Sequence, residues 1–230
     1  DYPNAVISYS QALRESSADD YYHKGLAYEA LANAYSASFN TEEELRNAIL
    51  AHDCFDKIRD KNLALSRYKI AQAYHNNEQF DLADSLYSSV YSGLDSTSKL
   101  AFYAMEDQVS NDLQREGPDV ERDLRLLEYV AEHRGNLTLT SYYEYAYLLL
   151  LIGNKSTAEN ILSQLSEIDE SVETMEIRYR IAKYEEHDKE ALTLLKGLLL
   201  YQNDVVKKQL AQSVFKAQSD YYRLTAEVSE

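Results

Sequence analysis

The chain has 230 residues, 45% hydrophobic and 27% charged, a globular rather than a disordered balance. Its formal net charge of −16 repels a nucleic-acid duplex or a phosphate-rich membrane surface, and the longest basic cluster, Lys207-Lys208 near Asp204, is too small to reverse that. The single cysteine, Cys54, excludes an internal disulfide framework and a thiolate zinc site, and no apolar run is long enough to cross a bilayer.

Six Gly and two Pro are too few for the tight turns of a β-rich chain, so the composition points to long helices. The aromatic set is 21 Tyr, five Phe and no Trp. A tyrosine buries its ring and keeps its hydroxyl wet, which suits thin layers.

In chain order, Tyr2 to Leu13 reads as a helix, with Ala5, Tyr9 and Ala12 on one face and Pro3 in its first turn. Leu31, Ala32 and Tyr35 place a large, a small and an aromatic residue on one face of the next helix. Thr41 with Glu44 then has the spacing of a capping box. Ala48, His52 and Phe55 follow at i, i+4 and i+7. The clearest unit runs from Ala64 to Thr97. Ile70, Ala71 and Tyr74 mark its first helix (A), and Ala83, Tyr87 and Val90 its second (B), with the polar corner Asn76-Asn77-Glu78-Gln79 between. Small residues at 71 and 83 let two helices approach closely, and the aromatics fill the holes beside the crossing.

Beyond it, Val120, Leu124 and Leu127 repeat the helix-B trio after Pro118. Tyr145, Ala146 and Leu149 repeat helix A, preceded by Ser141 and Glu144 at capping-box spacing. Ala158, Leu162 and Leu165 and then Ala191, Leu195 and Leu198 repeat helix B. Segments 98–113 and 172–186 match the helix-A pattern poorly. The anchors 5, 48, 83, 120, 158 and 191 step by 43, 35, 37, 38 and 33 residues. Extra residues are expected around Ser36–Thr41 and Gln114–Pro118. Gly93, Gly135 and Gly153 lie where helices should stop. About twelve helices are expected.

These units closely resemble tetratricopeptide repeats (TPR). The resemblance implies an all-α, right-handed α–α superhelix of about six hairpins over 1–202, with a capping or stalk helix over 203–230. The chain opens on a helix B with no preceding helix A, so it is expected to be part of a longer protein; a lone capping helix is the alternative. Leu210, Val214, Ala217, Tyr221, Leu224 and Val228 step by 4, 3, 4, 3 and 4, a heptad seam that fits either a cap on the last hairpin or a homodimer through 203–230.

Gln79-Phe80-Asp81-Leu82-Ala83-Asp84-Ser85-Leu86-Tyr87 and the segment Gln212 to Tyr222 are similar to the extracytoplasmic TPR region of membrane-anchored, regulator-like Bacteroidetes proteins. That resemblance implies a periplasmic sensory or docking domain whose anchor lies outside 1–230; a cytoplasmic location is the alternative. Five scattered histidines give no metal-ligand spacing, and no glycine-rich phosphate cradle or nucleophile turn occurs, so neither a cofactor nor catalysis is expected.

The family's groove positions carry over to Glu29, Asn33 and Ser36, then to Leu65, Tyr68, Gln72 and His75. In the third unit they fall on Phe102 and Glu106, and in the fourth on Thr140, Tyr143, Tyr147 and Leu150. Rich in tyrosine and amides, with no basic clamp, this surface suits an extended peptide or protein segment. Alternatively, Tyr68, Tyr143 and Tyr147 only fill gaps between hairpins. A scaffold that self-associates through its C-terminal helix is the competing function.

Overall fold

The computed structural model describes residues 2–165 and 171–228, with side chains from 4–165, 171–211 and Ser213. Seam positions Val214, Ala217, Tyr221, Leu224 and Val228 therefore lie outside the described side chains. Eleven helices and no strand occur among the described residues. They are α1 (Tyr2–Glu15), α2 (Tyr21–Ser36), α3 (Thr41–Lys57), α4 (Leu63–Asn76), α5 (Phe80–Ser92), α6 (Lys99–Asp112), α7 (Val120–Arg134), α8 (Leu139–Leu151), α9 (Lys155–Gln164), α10 (Val172–Tyr184) and α11 (Asp188–Val228). Helices α1 to α8 each pack on the next, α10 packs on α8 and α11, and each even-numbered helix is an A helix paired with the B helix that follows. The result is an α–α solenoid of five hairpins, with α1 as a leading B helix. The last B helix runs unbroken through position 203, over 41 residues.

Four of the five hairpin corners share one backbone device. Phe39, Glu78, Gly153 and Glu186 each stand two residues before a B helix, with φ of 59°, 58°, 80° and 59°. The amide after each donates to a carbonyl five residues back: Asn40 to Tyr35, Gln79 to Tyr74, Asn154 to Leu149 and His187 to Ala182, at 2.8–2.9 Å. This left-handed residue reverses the chain while capping the A helix. Only Gly153 adopts it without steric cost.

The crossing residue is the fourth of each B helix. Ala83 and Ala158 are wholly buried there, and Ala191 nearly so. In α3 and α7 the same place holds Glu44 and Asp123. The expected anchors Ala48 and Val120 are thus displaced by four and three residues, because apolar side chains at i+4 and i+7 imitate the pattern one turn further along or back. Both capping boxes are corrected too. Asn40 Oδ1 accepts from the Glu43 amide at 3.3 Å, and Thr138 Oγ1 from that of Ser141 at 3.3 Å. Glu44 and Glu144 point inward instead, 6% and 4% exposed. Pro118 directly precedes the α7 cap, Asp119. The long connection at Gln114–Pro118 is present. The other surplus residues lengthen α2 and α3, at 16 and 17 residues against 14 and 13 in α4 and α5.

Gly25 serves close approach: a Cβ there would meet the Phe55 ring at 2.7 Å. The largest apolar cluster joins α6 to α10 around Val109, Leu127, Val130, Leu148 and Ile177. Smaller clusters join α4 to α6 and α2 to α4. Helix α6 carries an unusual polar interior. Gln108 Nε2 donates to Ser88 Oγ at 2.7 Å, Asn111 Nδ2 to the Phe80 carbonyl at 2.9 Å, and the Asp119 amide to Asp112 Oδ2 at 2.6 Å. Each bond ties α6 to a neighbouring element and so specifies register, although Gln108 Oε1 is buried with no partner among the described residues.

Candidate functional site

The A helices α2, α4 and α6 wall a concave cavity of about 390 Å³, completed by α3 and by Glu173 at the start of α10. Glu29, Asn33 and Ser36 come from α2, spaced by four and three, so one helix face supplies all three. Lys69, Gln72 and His75 come from α4 by the same rule, and Asp107 and Ser110 from α6. Four carboxylates, Glu29, Glu44, Asp107 and Glu173, face one ammonium, Lys69.

Hydrogen bonds fix part of this wall. Tyr68 Oη donates to Asp107 Oδ2 at 2.6 Å, and Gln72 Nε2 contacts both Tyr68 Oη and the same carboxylate oxygen, at 3.0 and 3.2 Å. His75 Nδ1 meets Asn111 Oδ1 at 3.0 Å. Asn76 Nδ2 donates to both Glu44 carboxylate oxygens, at 2.9 and 3.2 Å. Burial raises the Glu44 carboxyl above its ordinary value, against the pull of Ser36 and Asn76. Burial also raises Asp107, against the Tyr68 and Gln72 bonds, and raises the Tyr68 phenol, which Asp107 pushes further up. Each of these carboxyls would gain from a positive group brought beside it.

Five of the ten groove candidates, Glu29, Asn33, Ser36, Gln72 and His75, line this cavity. Tyr68 is 8% exposed and buttresses Asp107. Phe102, Glu106 and Tyr143 are not on the groove surface. They are 5%, 3% and 8% exposed, inside the array. Tyr147 is half-buried against the α6–α10 cluster. Of the remaining positions, Leu65 packs on the α4–α6 cluster, Leu150 is buried, and Thr140 Oγ1 bonds Thr174 Oγ1 at 2.9 Å.

Glu106 is an interior anchor: Arg134 Nη1 and Nη2 reach its two oxygens at 2.7 Å each, and the Thr138 amide donates to it at 2.8 Å. The α6 register is off by one, so the cavity carboxylate is Asp107 rather than Glu106. Lys69, Asp107, Ser110, Glu44 and Glu173 escape a sequence reading. For Asp107 a signal exists, because Gln72 lies 35 residues before it, close to one repeat length. The wall is consequently carboxylate- and amide-lined rather than tyrosine-lined. Among the described residues, no three His, Cys, Asp or Glu side chains converge as a metal set.

No protein-family model matches the chain, and no curated protein matches it. Among solved structures, a kinesin light chain-like protein of Podosopora anserina with nearly identical TPR-like repeats is similar in fold. Its TM-score is 0.55 at 18% identity, covering 78% of this chain and 88% of the other. A single-substitution variant of that protein matches with a TM-score of 0.58 at 18% identity, over 79% and 89%. At this identity the likeness shows the fold: this chain is an all-helical TPR-like repeat solenoid.

Proposed function

We propose that this chain is a non-catalytic polypeptide-binding module that holds an extended segment of another protein in its concave cavity. The observation that carries this reading is the cavity wall itself. Glu29, Asn33 and Glu173 line it without a side-chain hydrogen bond to any described residue, beside the fixed acceptor Asp107. Such a wall favours main-chain amides and basic side chains of an incoming segment. The −16 net charge steers the same partners inward.

Selection of short random peptides displayed on phage tests this. Enrichment in Lys and Arg is expected, with binding that weakens on the order of tenfold when Asn33→Ala and Gln72→Ala are combined. Peptides that bind the double variant as tightly as the parent would reject the cavity.

The finer setting is a sensory or docking domain of a membrane-anchored bacterial regulator, in the periplasm, with its anchor outside this chain. It rests on the similarity of 79–87 and 212–222 to such proteins. Among the described residues no helix is long and apolar enough to cross a membrane. A second reading, a self-associating scaffold, is favoured by α11, where Leu199, Leu200, Val206 and Leu210 are 50–71% exposed. Sedimentation of the chain ended after Asp204 separates the two: a drop in mass from dimer to monomer supports the scaffold, and equal monomeric behaviour removes it.

A further inference from the structure

We propose that the middle of α11, residues 201–209, is a clasp that closes the superhelix on itself by gripping Phe39 at the corner between α2 and α3. Helix α11 packs on α10 through Ala191 and Leu194, and at Gly197, where a Cβ would stand 3.2 Å from Met175 Sδ. Beyond Gly197 the helix passes the start of α10, where Glu173 acts on Tyr201, and the ring, cation and hydrogen-bond contacts described between 201–209 and the α2–α3 corner converge on one residue. The Tyr201 ring meets the Phe39 ring edge-on at 6.0 Å, Lys208 Nζ stands 5.5 Å over it, and Gln209 Nε2 donates to the Phe39 carbonyl at 3.2 Å. Tyr201 and Lys208 are seven residues apart, on one face of the helix.

The position of this grip gives it consequence. Phe39 lies between Ser36 and Glu44, which line the cavity, and α11 sets out from α10, whose Glu173 lines the same cavity. The last hairpin thus returns to the first across the cavity rim. Phe39 also holds a left-handed conformation, φ 59°, which a bulky aromatic adopts at a cost. The corresponding corners use Glu78, Gly153 and Glu186, so this corner does not require an aromatic. The ring is kept where α11 lands. One aromatic pair, one cation–π contact and one exposed hydrogen bond make a reversible grip. Closed, the ring hinders an extended segment from being laid in sideways; open, it admits one.

The clasp depends on the peptide-binding reading for its purpose, but its test needs no ligand, so each can fail alone. Spin labels are placed at Glu42→Cys and Lys207→Cys in a Cys54→Ser background, and the distance distribution is measured by pulsed electron resonance. A single short population is expected, and a broad one in the parent would overturn the clasp. Phe39→Gly relieves the corner and removes the ring; Tyr201→Ala leaves the corner untouched. Both should add a longer population, raising the open fraction on the order of tenfold. In parallel, a polyethylene-glycol maleimide should label a cysteine at Gln72→Cys faster in Phe39→Gly than in the parent. Unchanged distances and labelling rates in both variants, with helix content intact, would overturn the proposal.

Discussion

Ser110 Oγ donates a 2.6 Å hydrogen bond to Glu144 Oε1, joining α6 to α8 across consecutive repeats, while Glu144 Oε2 is buried with no partner among the described residues. Burial pushes this carboxyl up to about 8, with help from the neighbouring charges of Asp107, Glu106 and Asp123. Its folded value lies above the unfolded one, so the native state holds a proton that the unfolded chain has released. Stability from this group is therefore full below the ordinary value of 4.5 and lost as pH rises through about 8. Glu144→Gln should flatten that fall. Above a pH of about 8 it should be more stable than the parent by roughly 2–4 kcal/mol. Thermal melting across pH checks this, and parallel curves for the two proteins would contradict it.

Asp123 should add to the same slope at lower pH. Burial lifts it to about 7, against the attraction of Arg122, and the window runs from 3.8 upward. Since Ala83 and Ala158 fill the equivalent place, Asp123→Ala should be tolerated within about 1 kcal/mol at neutral pH. Chemical denaturation measures it, and a loss several times larger would show that Arg122 depends on this carboxylate.

Arg134 is the sole described cation on buried Glu106. Arg134→Met strands that charge and should cost about 3–5 kcal/mol, with part recovered by adding Glu106→Gln. Urea titrations of the single and double variants check this. A harmless Arg134→Met would mean that water reaches Glu106.

Much of the fold was legible because alanine and tyrosine mark it: Ala71, Ala83 and Tyr87 are buried where their spacing put them. The site was legible only in part. Helix α6 hides its inward face because Glu106, Gln108, Asn111 and Asp112 are buried polar residues, so its amphipathic pattern misleads by one position. Glu44 and Glu144 had the spacing of caps, yet tertiary contacts with Asn76 and Ser110 claim them. No glycine announces the left-handed corners at Phe39, Glu78 and Glu186.

Those corners give a further prediction. Glu78→Gly should raise stability by about 0.5–1 kcal/mol, since the left-handed cost exceeds the entropy glycine adds. Gly153→Ala should lower it by about 1 kcal/mol. Calorimetric midpoints that move the other way would contradict the corner geometry.

Ala83 is wholly enclosed where α5 crosses α4. Ala83→Phe should overpack this crossing and cost about 1–3 kcal/mol. An unchanged melting temperature would contradict the placement of that face.

Occupation of the concave cavity is tested most directly by amide shift mapping by NMR with a phage-selected basic peptide. Shifts concentrated on α2, α3, α4, α6 and the start of α10 are predicted. Shifts confined to α7 and α9, or to the exposed leucines of α11, would contradict it.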